Sequence, residues 1–357
     1  MTNKYDLYSM TEEELVDFFA SLGEPKFRAK QVFPKLHQGV LISDMTNLSK
    51  PLREKLLDMT VDTLPRVERK LVSRIDGTVK YLFKLHDGEC VESVFMRYKH
   101  GNTLCISSQV GCLMGCKFCA STLGGKVRDL MPSELLGQVI AASKDTGERV
   151  SNIVMMGIGE PLDNYDNVIK FLKLVNHEGG LNIGYRHISL STCGVVPGIL
   201  RLAEEDLPIT LSISLHAAND EKRTSIMPVN KRWHIDELLA ACVEYWNKTG
   251  RRISFEYTLI EGKNDSAEDA RELAALLRGA FRGTGAPIHV NLIRVNRVDE
   301  TDFREGTQDS ANRFAALLET LGVVATVRRR LGADINAACG QLRRGAAAEE
   351  KKTEDKT

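Results

Sequence analysis

Apolar segments of strand length alternate with helical segments over most of the chain, and this alternation limits the possible folds more than any other feature. Strongly apolar strands that alternate with helices are typical of a parallel sheet covered by helices. About six strand–helix units are fewer than the eight of a closed barrel, so the sequence predicts an α/β fold with a partial, open (β/α)6 barrel. The predicted strands are 103–108, 152–157, 187–192, 209–214, 252–260, 288–293 and 323–328, and the predicted helices are 133–144, 164–177, 197–205, 234–248, 266–279 and 309–321.

A small helical module precedes this pattern. Thr11 and Glu14 are spaced as in a capping box, and Gly23 ends the helix that they begin. A second helix is predicted over 26–37, where four basic residues occur without an acidic one, and a third near 52–59. We expect these helices to form a separate small unit at the start of the chain.

Two further strand candidates, 79–85 and 90–96, are separated by the turn sequence HDGE and predict a β-hairpin. The last residues, AAAEEKKTEDKT, are charged and lack a core pattern, so we expect them to be disordered. The predicted organisation is an N-terminal helical accessory domain, a hairpin extension, the partial barrel and the tail, over residues 1–75, 76–100, 101–345 and 346–357.

Composition and charge exclude several classes of protein. The chain has 48 basic and 48 acidic residues, which argues against coating nucleic acid by bulk charge but leaves a local basic patch open. It has no run of about 20 apolar residues that could cross a membrane, and its start lacks the pattern of a signal peptide. Eight cysteines without a secretory signal indicate a reducing cytosol. We therefore expect a cytoplasmic protein without a membrane anchor.

Three of those cysteines lie in QVGCLMGCKFCAS, directly after a predicted strand: Cys112, Cys116 and Cys119. The carboxyl ends of strands are where α/β folds place their active sites. A structural zinc site needs four ligands, whereas three thiolates suit a 4Fe-4S cluster whose fourth iron has no protein ligand. The alternatives are zinc with Cys105 as a fourth ligand, or cysteines without a metal.

The spacing C-x3-C-x2-C, with Phe118 before the last cysteine, resembles the signature of the radical S-adenosylmethionine superfamily. The resemblance implies that the open iron binds the amino and carboxylate groups of S-adenosylmethionine, which one electron then cleaves to a 5'-deoxyadenosyl radical. It also implies that a set of strand-end residues forms the cofactor pocket. Taken alone, each is more typical of a satisfied polar group or a tight turn. They are Gly159 and Glu160 in GIGEP, Ser191 in LST, and Ser214, Leu215 and His216 in SLH.

A longer resemblance extends over nearly the whole chain. CISSQVGC, SLHAANDEKRTSIMPVN and AACGQLR together resemble the radical S-adenosylmethionine RNA adenine methyltransferases, and most closely the dual-specificity branch that methylates carbon 2 of an adenine in 23S rRNA and in tRNA. Because carbon 2 is electron-poor, it cannot attack a sulfonium methyl group directly. The resemblance implies that the methyl group is first placed on Cys339. A second S-adenosylmethionine, two per turnover, then activates it, and Cys105 releases the product by forming a disulfide with Cys339.

The same resemblance assigns two more residues. Glu92 matches the proposed proton acceptor, although by sequence alone a solvated strand residue is the simpler interpretation. Asn296 matches a residue lining the cofactor site, and the chain departs from the family in the residues that follow it. The remaining cysteines, Cys90, Cys193 and Cys242, are interpreted as packing residues.

RNA contact is predicted from local charge. A target adenine must leave its stack to reach a buried radical, so we expect a flipped base. The helix at 26–37 offers a phosphate-binding surface in addition to the basic residues around Cys339. The ordinary alternative for the residues around Cys339 is a solvated charge run. The resemblance further implies an electron donor such as flavodoxin, and we expect a monomer. The basic residues around Cys339 are Arg328, Arg329, Arg330, Arg343 and Arg344.

Two other functions stay open at this point. The related carbon-8 23S rRNA methyltransferase, which confers ribosomal antibiotic resistance, shares the three-cysteine loop and both further cysteines. A protein from another class, a non-catalytic metal-binding RNA protein, would need neither Cys105 nor Cys339.

Overall fold

The computed structural model describes residues 4–295 and 302–335. Cys339, Asn296 and the predicted tail therefore lie outside the described residues. Within those ranges, no helix combines the length and the apolar character needed to cross a membrane.

The N-terminal helices have a core of their own. The predicted capping box is present, because Glu14 N–H donates to Thr11 Oγ1 at 3.2 Å and Thr11 N–H donates to Glu14 Oε2 at 2.8 Å. Phe19 and Phe33 are buried in this core, to which Leu174 of the barrel contributes. The module is thus packed on the barrel. Its helices are α1 (Glu12–Ser21), α2 (Phe27–His37) and α3 (Lys50–Met59).

Strands follow in a regular series. In chain order they are β1 (Arg66–Val72), β2 (Val79–Lys84), β3 (Cys90–Tyr98), β4 (Gly101–Cys105), β5 (Gln109–Gly111), β6 (Lys126–Asp129), β7 (Asn152–Met155), β8 (Ile188–Thr192), β9 (Thr210–Ser214), β10 (Ile253–Leu259), β11 (His289–Arg294) and β12 (Val324–Val327). Among the described residues, ten of them form one sheet in the order β1-β2-β3-β4-β7-β8-β9-β10-β11-β12. Neighbours from β1 to β4 are antiparallel, and neighbours from β4 to β12 are parallel. The strands β5 and β6 form a separate hairpin.

Helices cover one side of the parallel strands. They are α4 (Pro132–Thr146), α5 (Tyr165–Asn176), α6 (Val196–Leu202), α7 (Asp220–Ile226), α8 (Ile235–Thr249), α9 (Ala267–Ala280) and α10 (Gln308–Thr320). Because β1 and β12 are the edges of the sheet rather than partners, the barrel is open. The predicted fold class is confirmed. The sequence did not predict β1, the β5–β6 hairpin or the seven-residue helix α7.

The two faces of the parallel strands differ in polarity. Leu190 and Leu211 face the covering helices and are fully buried in the main core. Their neighbours face the barrel interior, where the hydroxyl oxygens of Ser189 and Ser212 lie 2.9 Å apart. This alternation follows from the period of two in a strand. It gives the barrel an apolar outer layer and a polar interior.

The segment after β12 is tied to the turn between β1 and β2. Gly332 N–H donates to Asp76 Oδ2 at 2.9 Å. In return, Asp334 accepts from the Ser73 hydroxyl at 2.6 Å and from the next backbone N–H at 2.8 Å. These bonds fix the chain at Asp334, five residues before Cys339.

The glycine after β7 permits a close contact between neighbouring segments. Gly157 N–H donates to Ile106 O at 3.0 Å, and a Cβ on Gly157 would lie 2.5 Å from that oxygen. We predict that Gly157→Ala lowers the free energy of unfolding by about 1–3 kcal/mol, because the backbone must shift to relieve the overlap. Denaturant unfolding measures the change.

The control is Gly279→Ala in α9, where an added Cβ has nothing within 4 Å. This variant should be unchanged or more stable, by up to about 1 kcal/mol, because alanine favours helix. Equal losses in the two variants would contradict the packing argument.

Candidate active site

A cavity of about 360 Å³ opens at the carboxyl ends of the parallel strands. It brings together Cys105 of β4, residues of the cysteine loop between β5 and β6, and residues at the ends of β7, β8, β9 and β10. The predicted site residues that line it are Cys105, Cys112, Cys116, Cys119, Gly159, Glu160, Ser191, Ser214 and His216.

The three-cysteine loop is held in place by its backbone. Cys112 N–H donates to Gly125 O at 3.0 Å, and Lys117 N–H donates to Ile226 O at 2.9 Å. Gly111, before the first cysteine, has φ +83° and approaches the same oxygen so closely that a Cβ would lie 1.9 Å from it. The loop is therefore anchored to the β5–β6 hairpin on one side and to the end of α7 on the other.

The thiols of this loop are set in a low-dielectric environment. Cys112 and Cys116 are buried and Cys119 is half-buried. Burial raises the pKa of Cys112 to about 12, with Glu160 and Cys119 adding to the effect. Burial also raises the pKa of Cys116 well above its ordinary value. Ionised thiolates in this place need positive charge beside them, which bound iron supplies.

The donor set fits an iron–sulfur cluster. Three cysteine side chains from one loop face one cavity, as such a cluster requires. The zinc alternative requires four donors around a single ion, and no group of three or more His, Cys, Asp or Glu side chains within 4–295 and 302–335 is arranged to hold one metal ion. A cluster does not need that convergence, because each thiolate binds a different iron.

Glu160 is buried at the end of the β7 turn. Its Oε1 accepts from Leu162 N–H at 3.0 Å and its Oε2 accepts from Cys193 N–H at 2.7 Å. Burial raises the pKa of this carboxyl, against the effect of these hydrogen bonds. The carboxylate thus connects the end of β7 to the turn after β8, and its oxygens keep lone pairs for a further donor.

Gly159 has φ +106°, and a Cβ there would lie 2.6 Å from Gln109 Cβ. The sequence predicts that a glycine at this position allows the backbone to approach a ligand closely. The structure adds a packing reason, since the turn lies directly against Gln109, whose Oε1 accepts from Glu160 N–H at 2.9 Å.

The SLH segment differs in its three residues. Ser214 faces the cavity, whereas the fully buried side chain of Leu215 belongs to the main core and is not among the residues lining the cavity. His216 has φ +57° and its Nδ1 accepts from Thr258 N–H at 2.9 Å. Burial and the charge of Arg223 lower the pKa of His216 to about 3, so it is neutral at physiological pH.

Cys105 and Glu92 lie on neighbouring strands. Cys105 is opposite Val94 in the β3–β4 pair and lines the cavity. Glu92, also on β3, is only 1% exposed and lies 3.1 Å from the Nζ of Lys80, which is itself fully buried. The solvated interpretation of Glu92 is therefore wrong. Glu92 is not among the residues that line the cavity.

Sequence reasoning missed three residues here. Cys193, interpreted as packing, is buried beside Cys116 and lines the cavity. Glu256 projects into the barrel from β10, and its Oε2 has no hydrogen-bond partner among the described residues. A single acid in the apolar strand ISFEYTL was the signal for it. Arg223 is fully buried behind the cysteine loop, whereas a charged run such as NDEKR is ordinarily solvated.

The basic residues at the mouth are partly compensated. Arg328, Arg329 and Arg330, predicted as a basic rim around Cys339, line the cavity, but Glu305 lies 3.0 Å from Arg330. The same carboxylate is 3.3 Å from Arg294. Arg343 and Arg344 lie outside the described residues.

Comparisons with known proteins agree with this architecture. Residues 5–61 match the ribosomal RNA large subunit methyltransferase N-terminal domain, and residues 106–274 match the radical SAM superfamily. The chain is 55% identical to the probable dual-specificity RNA methyltransferase RlmN of Alkaliphilus oremlandii, over 96% of this chain and 98% of the relative. The chain belongs to the RlmN family of radical SAM RNA methyltransferases. The predicted resemblance is confirmed.

Other relatives agree with this assignment. The probable dual-specificity RNA methyltransferase RlmN of Clostridium botulinum (strain Eklund 17B / Type B) is 52% identical, over 95% of this chain and 96% of the relative. The crystal structure of a radical SAM methyltransferase from Sphaerobacter thermophilus superposes with a TM-score of 0.88 at 42% identity, covering 94% of this chain and 98% of that one. RlmN family membership thus rests on both sequence and fold over most of the chain.

The cysteine loop can be tested by iron content. We predict that Cys112→Ala, Cys116→Ala or Cys119→Ala each removes most of the iron and sulfide bound after anaerobic reconstitution, because two thiolates leave a second iron exposed. The control is Cys242→Ala, since Cys242 is buried in the main core and does not line the cavity. Full iron binding by any of the three loop variants would contradict the assignment.

Proposed function

We propose that the protein methylates carbon 2 of an adenine in 23S rRNA and of an adenine in tRNA, using S-adenosylmethionine and a 4Fe-4S cluster. The observation that carries the proposal is the single cavity that the three loop thiols, the Glu160 turn and Cys105 share. Relatives over 50% identical along nearly the whole chain are named dual-specificity RNA methyltransferases, which supports both RNA classes.

Cys112, Cys116 and Cys119 would hold the cluster, which when bound supplies the electron that cleaves S-adenosylmethionine. The chain's contribution is a buried loop that excludes water from the thiolates. The pocket residues we assign to the cofactor are Gly159, Glu160, Ser191, Ser214, Leu215, His216 and Asn296.

These residues offer different contacts. The Glu160 carboxylate is suited to an ammonium group, because charge-assisted hydrogen bonds are among the strongest. Ser191 and Ser214 offer hydroxyl groups. Leu215, whose side chain is in the core, can contribute only its backbone. His216 is neutral and donates from Nε2, because its Nδ1 already accepts from Thr258 N–H.

Two cysteines would share the transfer of a methyl group to an atom that is not nucleophilic: Cys339 carries the group and Cys105 releases the product. A thiolate is a good nucleophile, so Cys339 accepts the first methyl group from one S-adenosylmethionine, and a second is consumed in the radical step. The methyl group on Cys339 would lose one hydrogen atom in that step, and its carbon would then bond to carbon 2 of the adenine, which gives up one electron and its own proton. The Cys105 thiolate would attack the Cys339 sulfur, and the electron pair of the broken carbon–sulfur bond would take up a proton to complete the methyl group on the RNA, leaving a Cys105–Cys339 disulfide. No disulfide joins two of the described cysteines.

Glu92 is proposed to accept the proton that leaves carbon 2. Its carboxylate has the Lys80 ammonium at 3.1 Å as a counter-charge inside the barrel. Because Glu92 is absent from the cavity lining, the adenine must reach beyond the described cavity toward β3, or a bridging group must carry the proton.

RNA binding is proposed at the rim formed by Arg328, Arg329 and Arg330, with the basic helix α2 as a second phosphate-binding surface. Lys26 and Lys30 of that surface are exposed. The adenine would enter the cavity as a flipped base. A flavodoxin as electron donor, a monomeric state, a cytoplasmic location and the domain limits at 75, 100 and 345 are further parts of the proposal.

Methylation of carbon 8 is the less favoured alternative, because the relatives at 55% and 52% identity are named probable dual-specificity RNA methyltransferases. The deciding experiment is anaerobic turnover with a defined 23S rRNA fragment and with tRNA, followed by mass spectrometry of the nucleosides against synthetic standards. We expect 2-methyladenosine from both RNAs together with 5'-deoxyadenosine. Formation of 8-methyladenosine alone would overturn the proposal.

The resolving role of Cys105 predicts a trapped intermediate. Cys105→Ala should accumulate a covalent protein–RNA adduct, seen as a nuclease-sensitive mobility shift on denaturing gels, because no thiol remains to attack the bridging sulfur. Cys242→Ala should release product without the adduct. Product release by Cys105→Ala at the wild-type rate would refute the role.

A further inference from the structure

Arg223 is a fully buried cation behind the three-cysteine loop. It lies on α7 and none of its surface is exposed. Its guanidinium donates to Leu215 O at 3.1 Å, Cys193 O at 2.6 Å and Ser214 O at 3.2 Å. These bonds tie together the ends of β8 and β9, where the cofactor pocket is formed.

The guanidinium of Arg223 has hydrogen-bond partners, but these partners are neutral groups. Besides the three carbonyls, the guanidinium donates to the amide oxygen of Asn230 at 2.8 Å. The nearest carboxylate in this network, Asp220, is reached only through Asn230, whose amide donates to Asp220 Oδ1 at 2.8 Å. A buried charge without a counter-charge is costly, and its burial lowers the pKa of Arg223 from its ordinary value.

The guanidinium lies next to the cysteine loop through its hydrogen bond to the backbone oxygen of Cys193. Cys116 is one of the three loop residues, and Cys193 shares a packed cluster with it. A 4Fe-4S cluster on three thiolates carries a net charge of about −1 when oxidised and about −2 when reduced. The negative charge of the cluster would therefore be the counter-charge that the guanidinium does not find among the groups to which it donates.

We propose that Arg223 is the buried counter-charge of the iron–sulfur cluster and raises its reduction potential. The positive charge stabilises the reduced cluster more than the oxidised one, because the Coulomb attraction grows with the added electron. A low-potential one-electron reductant of the flavodoxin class then reduces the cluster more readily. Arg223 acts here as a positioning and electrostatic residue, and the inference rests on the cluster site of the proposed function.

The test compares reconstituted wild type with Arg223→Gln, Arg223→Lys and the surface control Arg271→Gln, which removes an arginine from α9 that is 56% exposed. The midpoint potential is measured by redox titration, with the reduced cluster followed by electron paramagnetic resonance. We expect at least tenfold less reduced cluster in Arg223→Gln at a fixed potential, a shift of about 59 mV for one electron. Arg223→Lys and Arg271→Gln should stay near wild type.

A second variant keeps the arginine. In Asp220→Asn/Asn230→Asp the net charge is unchanged, and the amide and carboxylate exchange places, so a carboxylate pairs directly with Arg223. We expect its cluster potential to fall as in Arg223→Gln. This variant keeps the proposal testable where Arg223→Gln does not fold.

A purely structural role predicts a different result. It would lower the melting temperature of Arg223→Gln equally in the apo and cluster-loaded forms, whereas the counter-charge role makes the rise in melting temperature on cluster loading smaller in that variant. Wild-type potentials in loaded Arg223→Gln and in the exchange variant would overturn the inference alone. A wild-type chain that binds no cluster would overturn the cluster site and this inference together.

Discussion

The alternation of side chains along the parallel strands determines which residues line the active site. Residues such as Leu190 and Leu211 face the helices and supply the apolar burial that stabilises the sheet. The residues between them face inward, so serines and Glu256 line the barrel interior. Because parallel strands end at one edge, the polar residues of β8 and β9 meet the cysteine loop between β5 and β6.

Charge inside this cavity is balanced over several residues. Glu160 and Glu256 are buried carboxyls, and burial raises the pKa of each. With iron bound, the loop thiolates would add further negative charge. Cations lie on either side of that charge, with Arg223 behind the loop and Arg328 at the mouth. The site is therefore built for a bound group of mixed charge, such as a sulfonium cofactor on an anionic cluster.

Much of the fold could be predicted because its signals are local. The strand at 152–157 and the helix at 234–248 follow from short apolar patterns, and the structure has β7 and α8 there. The spacing of Cys112, Cys116 and Cys119 identified the loop, since its chemistry depends on residues close in sequence. The tight turn at Gly159 is predicted by a signal of the same kind, the short motif GIGEP.

Other features depend on contacts between segments that are distant in the sequence. By its sequence context, Arg223 is interpreted as a solvated charge. Its burial follows only from the packing of α7 against the ends of β8 and β9. Cys193 lies next to Cys116 only because β8 ends beside the cysteine loop. The resemblance assigns Leu215 to the pocket with its neighbours, but Leu215 directly follows β9 and its side chain lies in the main core with Leu211 and Ile213. Residue type and spacing cannot report such burial.

The central claim is that three thiols in this cavity hold a cluster with one iron left for the cofactor. Mössbauer spectroscopy of protein reconstituted with iron-57 tests it directly, before and after addition of S-adenosylmethionine. The account predicts that one iron in about four has its own spectrum and that this spectrum changes when the cofactor binds. Four irons that respond identically, or not at all, would contradict it.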